Sequence, residues 1–152
     1  MKVARTRRDP LDLDVLLRVP NVDSDGEGFD VSPNGREVAF AWNKTGQWQI
    51  HLIGLEDECP TQLTKGTESS ISPRFSPDGK RLAYAQDRRG DERFDIFVMD
   101  LNSRESQNIT PSSDEAILPS IRWSPDGEKI AFASNRGGRF SVYSMPSRGG
   151  EP

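Results

Sequence analysis

The sequence predicts an all-β protein: a partial β-propeller of three four-stranded blades, the third incomplete, behind a short N-terminal helix. Three observations carry this. One turn is written three times, as Val31-Ser32-Pro33-Asn34-Gly35, Phe75-Ser76-Pro77-Asp78-Gly79 and Trp123-Ser124-Pro125-Asp126-Gly127. Each copy leads into an alternating apolar run, Val38-Ala39-Phe40-Ala41, Leu82-Ala83-Tyr84-Ala85 and Ile130-Ala131-Phe132-Ala133. The three prolines recur 44 and 48 residues apart, the period of a propeller blade.

The turn has a mechanical logic. Proline fixes φ for the second position of a type I turn, and the Asn or Asp after it bonds local backbone. Glycine then takes the left-handed conformation that returns the chain as an antiparallel partner. Pro33, Asn34, Gly35, Pro77, Asp78, Gly79, Pro125, Asp126 and Gly127 are therefore read as structural turn residues, and Asp78 and Asp126 as neither ligands nor catalysts.

Composition agrees with short strands and turns: hydrophobic residues make up 33%, with 13 Gly and 11 Pro. A formal net charge of −4 gives no electrostatic argument for nucleic acid. The single cysteine, Cys59, excludes an internal disulfide. No apolar run approaches a membrane span, and none follows the basic start as a signal-peptide core would, so a cytoplasmic location is expected.

In chain order, residues 1–28 form the lead. Lys2, Arg5, Arg7 and Arg8 are balanced by Asp9, Asp12 and Asp14. Asp9-Pro10 reads as a helix cap and first turn, with Leu13, Leu16 and Leu17 on one side and an end before Pro20. The acidic stretch from Asn21 to Gly28 lacks the ligand spacing of an EF-hand and reads as a loop.

The blades span about residues 29–66, 73–112 and 119–152. In the first, strands are expected over Phe29 to Ser32, Glu37 to Asn43, Trp48 to Ile53 and around Gln62-Leu63-Thr64, with turns at Thr45-Gly46 and between Gly54 and Pro60. In the second, the third strand covers Phe94 to Leu101 and the fourth ends at Asn108-Ile109-Thr110. The third blade begins near Ile121 and has its third strand over Phe140 to Met145. No counterpart of Gln62-Leu63-Thr64 follows before Pro152, so the chain is expected to be part of a longer protein. Three blades do not close a ring, and uncovered apolar faces favour self-association.

Candidate chemistry is sparse. His51 is the only histidine, and the repeat aligns Ile50-His51 with Ile96-Phe97 and Val142-Tyr143, an aromatic slot of the third strand. One histidine and one cysteine make no zinc set, and no cofactor is implied. Trp42, Trp48 and Trp123 sit within or beside strands, where they serve interblade packing. The best candidate for a binding surface is the charged hairpin of Arg88, Arg89, Asp91, Glu92 and Arg93, whose acids would receive a peptide amino terminus and whose arginines a carboxylate. Against this stands a solvated hairpin of mutually compensating charges.

The Ser-Pro-Asp-Gly turn followed by a Leu-Ala-Tyr-like strand resembles the WD40-like, or PD40, propeller repeat over about Phe29 to Pro152. Such repeats occur in the translocation protein TolB and in the N-terminal propeller of prolyl oligopeptidase family serine peptidases. The segment from Asp87 to Phe97 is similar to the Gly-Asp-Glu stretch before the third strand of a peptidase blade, and the entry from Leu11 to Val31 resembles the start of such chains. The resemblance to acylaminoacyl-peptidase-like members implies a non-catalytic propeller that gates peptides. Its partners would be the remaining blades and an α/β-hydrolase domain of the same protein, carrying a Gly-x-Ser-x-Gly nucleophile. The alternative is a TolB-like scaffold for protein partners.

Overall fold

The computed structural model describes residues 21–23, 27–88, 90–91, 93–111 and 115–150. The helix expected in the N-terminal lead lies outside them. Every described element is a strand or a turn.

The repeated turn folds the same way three times. The N–H of Gly35, Gly79 and Gly127 donates to the carbonyl of Ser32, Ser76 and Ser124 at 2.8, 2.8 and 2.9 Å, with glycine φ at 69°, 68° and 72°. The serine hydroxyl donates to Asn34, Asp78 or Asp126 Oδ1 at 2.7, 2.5 and 2.5 Å. It also accepts the N–H of Glu37, Arg81 or Lys129, each at 2.9 Å. Serine thus closes the hairpin and holds the acid or amide that holds the turn.

These turns connect antiparallel meanders. The first sheet runs β1 (Phe29–Val31), β2 (Glu37–Trp42), β3 (Gln49–Gly54) and β4 (Thr61–Gln62) in spatial order. The second runs β5 (Ser70–Phe75), β6 (Arg81–Asp87), β7 (Phe94–Asp100) and β8 (Ser106–Asn108). The third holds β9 (Arg122–Trp123), β10 (Lys129–Ser134) and β11 (Ser141–Pro146). Each is a blade, and the architecture is a partial propeller.

Pairing in the second blade begins at Ser70, ahead of the Pro73 at which the repeat pattern starts. The reason is a bulge: the β5–β6 register shifts between Ile71 and Arg74, with Ser72 at φ 55°. The extra residue lets Pro73, which has no N–H to give, sit inside a paired strand.

Alternation on the second strands builds two cores. Ala39 and Ala41 of β2 face Leu82 and Tyr84 of β6 in one buried cluster with Ile50, Leu52, Phe75 and Met99. Ala83 and Ala85, on the other face of β6, pack with Ile130 and Phe132 of β10, Ile96, Ile109 and Ile117. Small side chains on one face and large ones on the other let successive sheets approach closely. Phe132 is 1% exposed, and burying such a ring is worth about 1.5–3 kcal/mol.

The first strands of the blades also lock together. Phe75 N–H donates to Asp30 Oδ2 at 2.8 Å, and Trp123 Nε1–H to the Arg74 carbonyl at 3.0 Å. Arg81 joins the second blade to the third, donating to Ser147 Oγ at 3.0 Å and the Gly127 carbonyl at 2.9 Å while stacking 4.8 Å over the Trp123 ring.

Candidate functional site

The charged hairpin joins β6 to β7. It is a tight turn: Arg88 N–H donates to the Arg93 carbonyl at 2.8 Å, Asp91 N–H to the Arg88 carbonyl at 3.3 Å, and Gly90 adopts φ 76°. Asp91 Oδ1 accepts the Arg93 N–H at 3.0 Å. Arg89 and Glu92 lie outside the described residues.

Beside the hairpin is a cleft of about 510 Å³ lined by Glu68, Gln86, Asp87, Arg88, Asp91, Asp95 and Phe97. Phe97 supplies an aromatic wall, stacked on Tyr84 at 5.5 Å. Arg88 does not reach outward. Its guanidinium pairs with buried Asp95 at 3.1 Å and donates to the Glu115 carbonyl at 3.4 Å. Asn108 Nδ2 completes the set by donating to Asp95 Oδ2 at 2.9 Å. Arg93 and Asp91, each half exposed, stand 3.9 Å apart, a separation at which an exposed pair contributes little.

Arg88 is thus engaged in internal bonds, and Glu68, Asp87 and Asp91 line the cleft as further carboxylates beside its one aromatic wall. Chemically it suits a cation such as an amino terminus, and among the described residues that line it there is no nucleophile paired with a base.

His51 lies elsewhere, directly opposite Phe40 in the β2–β3 ladder. Phe40 stacks on its ring at 5.8 Å, Trp42 meets it edge-on at 5.3 Å, and Nδ1–H donates to the Gln49 carbonyl at 3.0 Å. Burial lowers its pKa, so the imidazole is neutral at pH 7. Tyr84↔Phe97 and Phe132↔Tyr143 are the same cross-strand pair in the other blades, so His51 fills an aromatic position.

A second charged cluster joins all three blades. Glu27, just before β1, pairs with Arg74 of β5 and accepts both Nη groups of Arg122 of β9, at 3.0 and 2.8 Å. Arg74 also donates to the Phe29 carbonyl at 3.1 Å. Burial foremost, then the neighbouring Arg122 charge, lowers the Arg74 pKa. Sequence reading missed this cluster, although a signal existed: Asp30, Arg74 and Arg122 occupy one repeat position, two residues before the turn serine.

The PD40 family, described as the TolB beta propeller domain, matches residues 67–152, more than half of the chain. The chain belongs to this family. Among relatives, this PD40 chain is 31% identical over 100 residues to dipeptidyl-peptidase 5 of Porphyromonas gingivalis, covering 58% of the chain and 15% of that protein. It is 35% identical over 88 residues to a protein described as a tricorn-like protease N-terminal subunit of Sulfurisphaera tokodaii, covering 55% of the chain and 42% of that protein. Among solved structures, one described as a TolB from Agrobacterium tumefaciens superposes with a TM-score of 0.72 at 28% identity, over 82% of the PD40 chain and 43% of that chain. The chain therefore spans less than half the length of these relatives. Its propeller is homologous to those of peptidases and to that of TolB.

Proposed function

We propose that this chain is the non-catalytic propeller part of a cytoplasmic serine peptidase of the prolyl oligopeptidase family. In this reading it covers the active site of an α/β-hydrolase domain in the same protein, admits short peptides and excludes folded ones. The observation that carries it is the 31% identity to dipeptidyl-peptidase 5 over 100 residues. The acidic cleft beside the β6–β7 hairpin supports it, since Glu68, Asp87 and Asp91 suit the amino terminus of an incoming peptide.

The TolB-like reading, a scaffold that binds protein partners without chemistry, is favoured by a different observation: the superposition on the Agrobacterium structure at a TM-score of 0.72.

The native product in its source cells separates the two. For the peptidase, its intact mass is several-fold above 17.0 kDa, and its tryptic peptides include a Gly-x-Ser-x-Gly serine that a fluorophosphonate labels. A product with further blades and no such serine leaves the scaffold standing and removes the peptidase.

A further inference from the structure

The three repeated turns share a geometry but not a chemistry. Asn34, Asp78 and Asp126 each precede a glycine in the left-handed conformation, and no other asparagine of the sequence precedes glycine. An Asn-Gly step leaves the side-chain amide open to attack by the following main-chain nitrogen, because glycine has no Cβ to bar the approach. The surroundings are open as well, since a Cβ built on Gly35 meets nothing within 4 Å.

In the closed turn both reacting groups are held. The Gly35 N–H is given to the Ser32 carbonyl at 2.8 Å. Asn34 Oδ1 accepts the Ser32 hydroxyl at 2.7 Å and the Arg36 N–H at 2.9 Å, which fixes the side-chain amide. Ser32 is buried, so both groups come free only when the hairpin opens.

Asp78 and Asp126 show that an acid fits this turn. Their Oδ1 atoms take the serine hydroxyl at 2.5 Å and the N–H two residues on at 3.1 and 2.9 Å, the bonds that Asn34 makes. The Ser76 and Ser124 hydroxyls foremost lower their pKa values, and a carboxylate anion is a poor target for a nitrogen nucleophile.

We propose that Asn34 is a site of spontaneous modification, which converts the first turn to the acidic form of the other two as its hairpin opens. Gly35 N gives up its proton and bonds to Asn34 Cγ, the Cγ–Nδ2 bond breaks, and Nδ2 leaves with that proton as ammonia. Water then opens the five-membered imide. Breaking the N–Cγ bond yields aspartate on an unaltered main chain, whereas breaking the bond from Gly35 N to the Asn34 carbonyl carbon yields isoaspartate, one main-chain atom longer. The turn accepts the first product. It rejects the second, because the added atom moves the Gly35 N–H off Ser32 and shifts a turn whose Pro33 Cδ stands 3.5 Å from the Cβ position of Gly79 in the next blade. The inference does not depend on the peptidase reading.

The test ages the full 152-residue chain in mildly alkaline buffer, folded and in urea, and follows the tryptic peptide of residues 19–36 by mass spectrometry. In urea Asn34 should convert before every other asparagine, and in the folded chain at least about tenfold more slowly. Ser32→Ala releases Oδ1 and should speed the folded reaction about three- to tenfold, the worth of one hydrogen bond, with the rate in urea unchanged. Asn34→Asp should melt at or above the parent, and limited proteolysis of aged protein should consume the isoaspartyl form before the aspartyl one. Equal rates in the folded chain and in urea overturn the proposal, a comparison that stands on the parent alone should Ser32→Ala fail to fold. So does a folded Ser32→Ala that reacts no faster, earlier conversion of another asparagine, or an Asn34→Asp variant that melts below the parent.

Discussion

The indole N–H of Trp123 donates to the main-chain carbonyl of Arg74 across the boundary between the second and third blades, at 3.0 Å. A side chain of one blade thereby satisfies the backbone of another where the β5 bulge has interrupted the ladder. Trp123→Phe keeps an aromatic surface for Arg81 and removes this bond. It should lower stability by about 1 kcal/mol, read as a lower urea midpoint at unchanged slope. An unchanged midpoint would show that the bond contributes nothing to blade association.

The interblade core predicts opposite errors of size. Phe132→Ala empties the position over Ala83 and Ala85 and should cost about 3–5 kcal/mol. Ala83→Leu fills the facing space and should cost about 1–3 kcal/mol. Combining them should recover part of the loss, because volume is restored at one contact. Strict additivity in chemical denaturation would count against direct packing of the two positions.

The repeated turn makes acid sensitivity predictable. The Asp78 carboxyl is held below its usual pKa by the Ser76 hydroxyl first and the Lys80 N–H second, and Asp126 by Ser124 and the Glu128 N–H. A depressed folded pKa contributes stability that is present above the unfolded value, about 3.9, and lost as pH falls through the folded one. Asn34 makes the same turn without a charge to titrate. In Asp78→Asn/Asp126→Asn the melting temperature should accordingly fall less steeply below about pH 4 than in the parent. Parallel acid limbs would contradict the assignment.

His51 titrates with the opposite consequence. Its lowered pKa means that the unfolded chain takes up a proton first, near pH 6.5, so stability falls as pH drops below that value. His51→Phe places in the first blade the residue that the second blade uses at Phe97. It should melt at or above the parent at pH 8 and gain over it at about pH 5. A variant that loses more stability at pH 5 than at pH 8 would overturn this account.

Removing Arg88 should be costly for a different reason. Arg88→Ala leaves the Asp95 carboxylate, 8% exposed, with Asn108 as its remaining polar side-chain partner in the cleft, and should destabilise by about 2–3 kcal/mol, less than a fully buried pair because the arginine is partly exposed. Adding Asp95→Asn should restore much of it. If the single variant melts with the parent, the pair is ornamental to folding.

The turns and strand order were legible because proline, Asn or Asp, and glycine each impose a local conformation that needs no distant partner. The aromatic position of His51 was legible through alternation, since Phe97 and Tyr143 stand in the same register. The bulge was not: Ser72 takes φ 55° while 2% exposed, a conformation that tertiary packing decides and serine does not announce. In the candidate site, Arg88, Asp91 and Arg93 were visible as a charged hairpin, but the inward turn of Arg88 depends on Asp95 and on the Glu115 carbonyl of the segment between the second and third blades. Glu68 comes from the segment between the first two sheets, and Glu27 reaches Arg122 across 95 positions, distances over which no local spacing speaks.

The unequal faces of the second strand give the stack a polarity. Because Tyr84 seats on the alanines of β2 and Phe132 on those of β6, a copied meander can be inserted only in one orientation, large face to small. Duplicating about 45 residues therefore adds a wedge that already fits both neighbours. Such a protein can lengthen by whole units while its existing contacts go unrewritten.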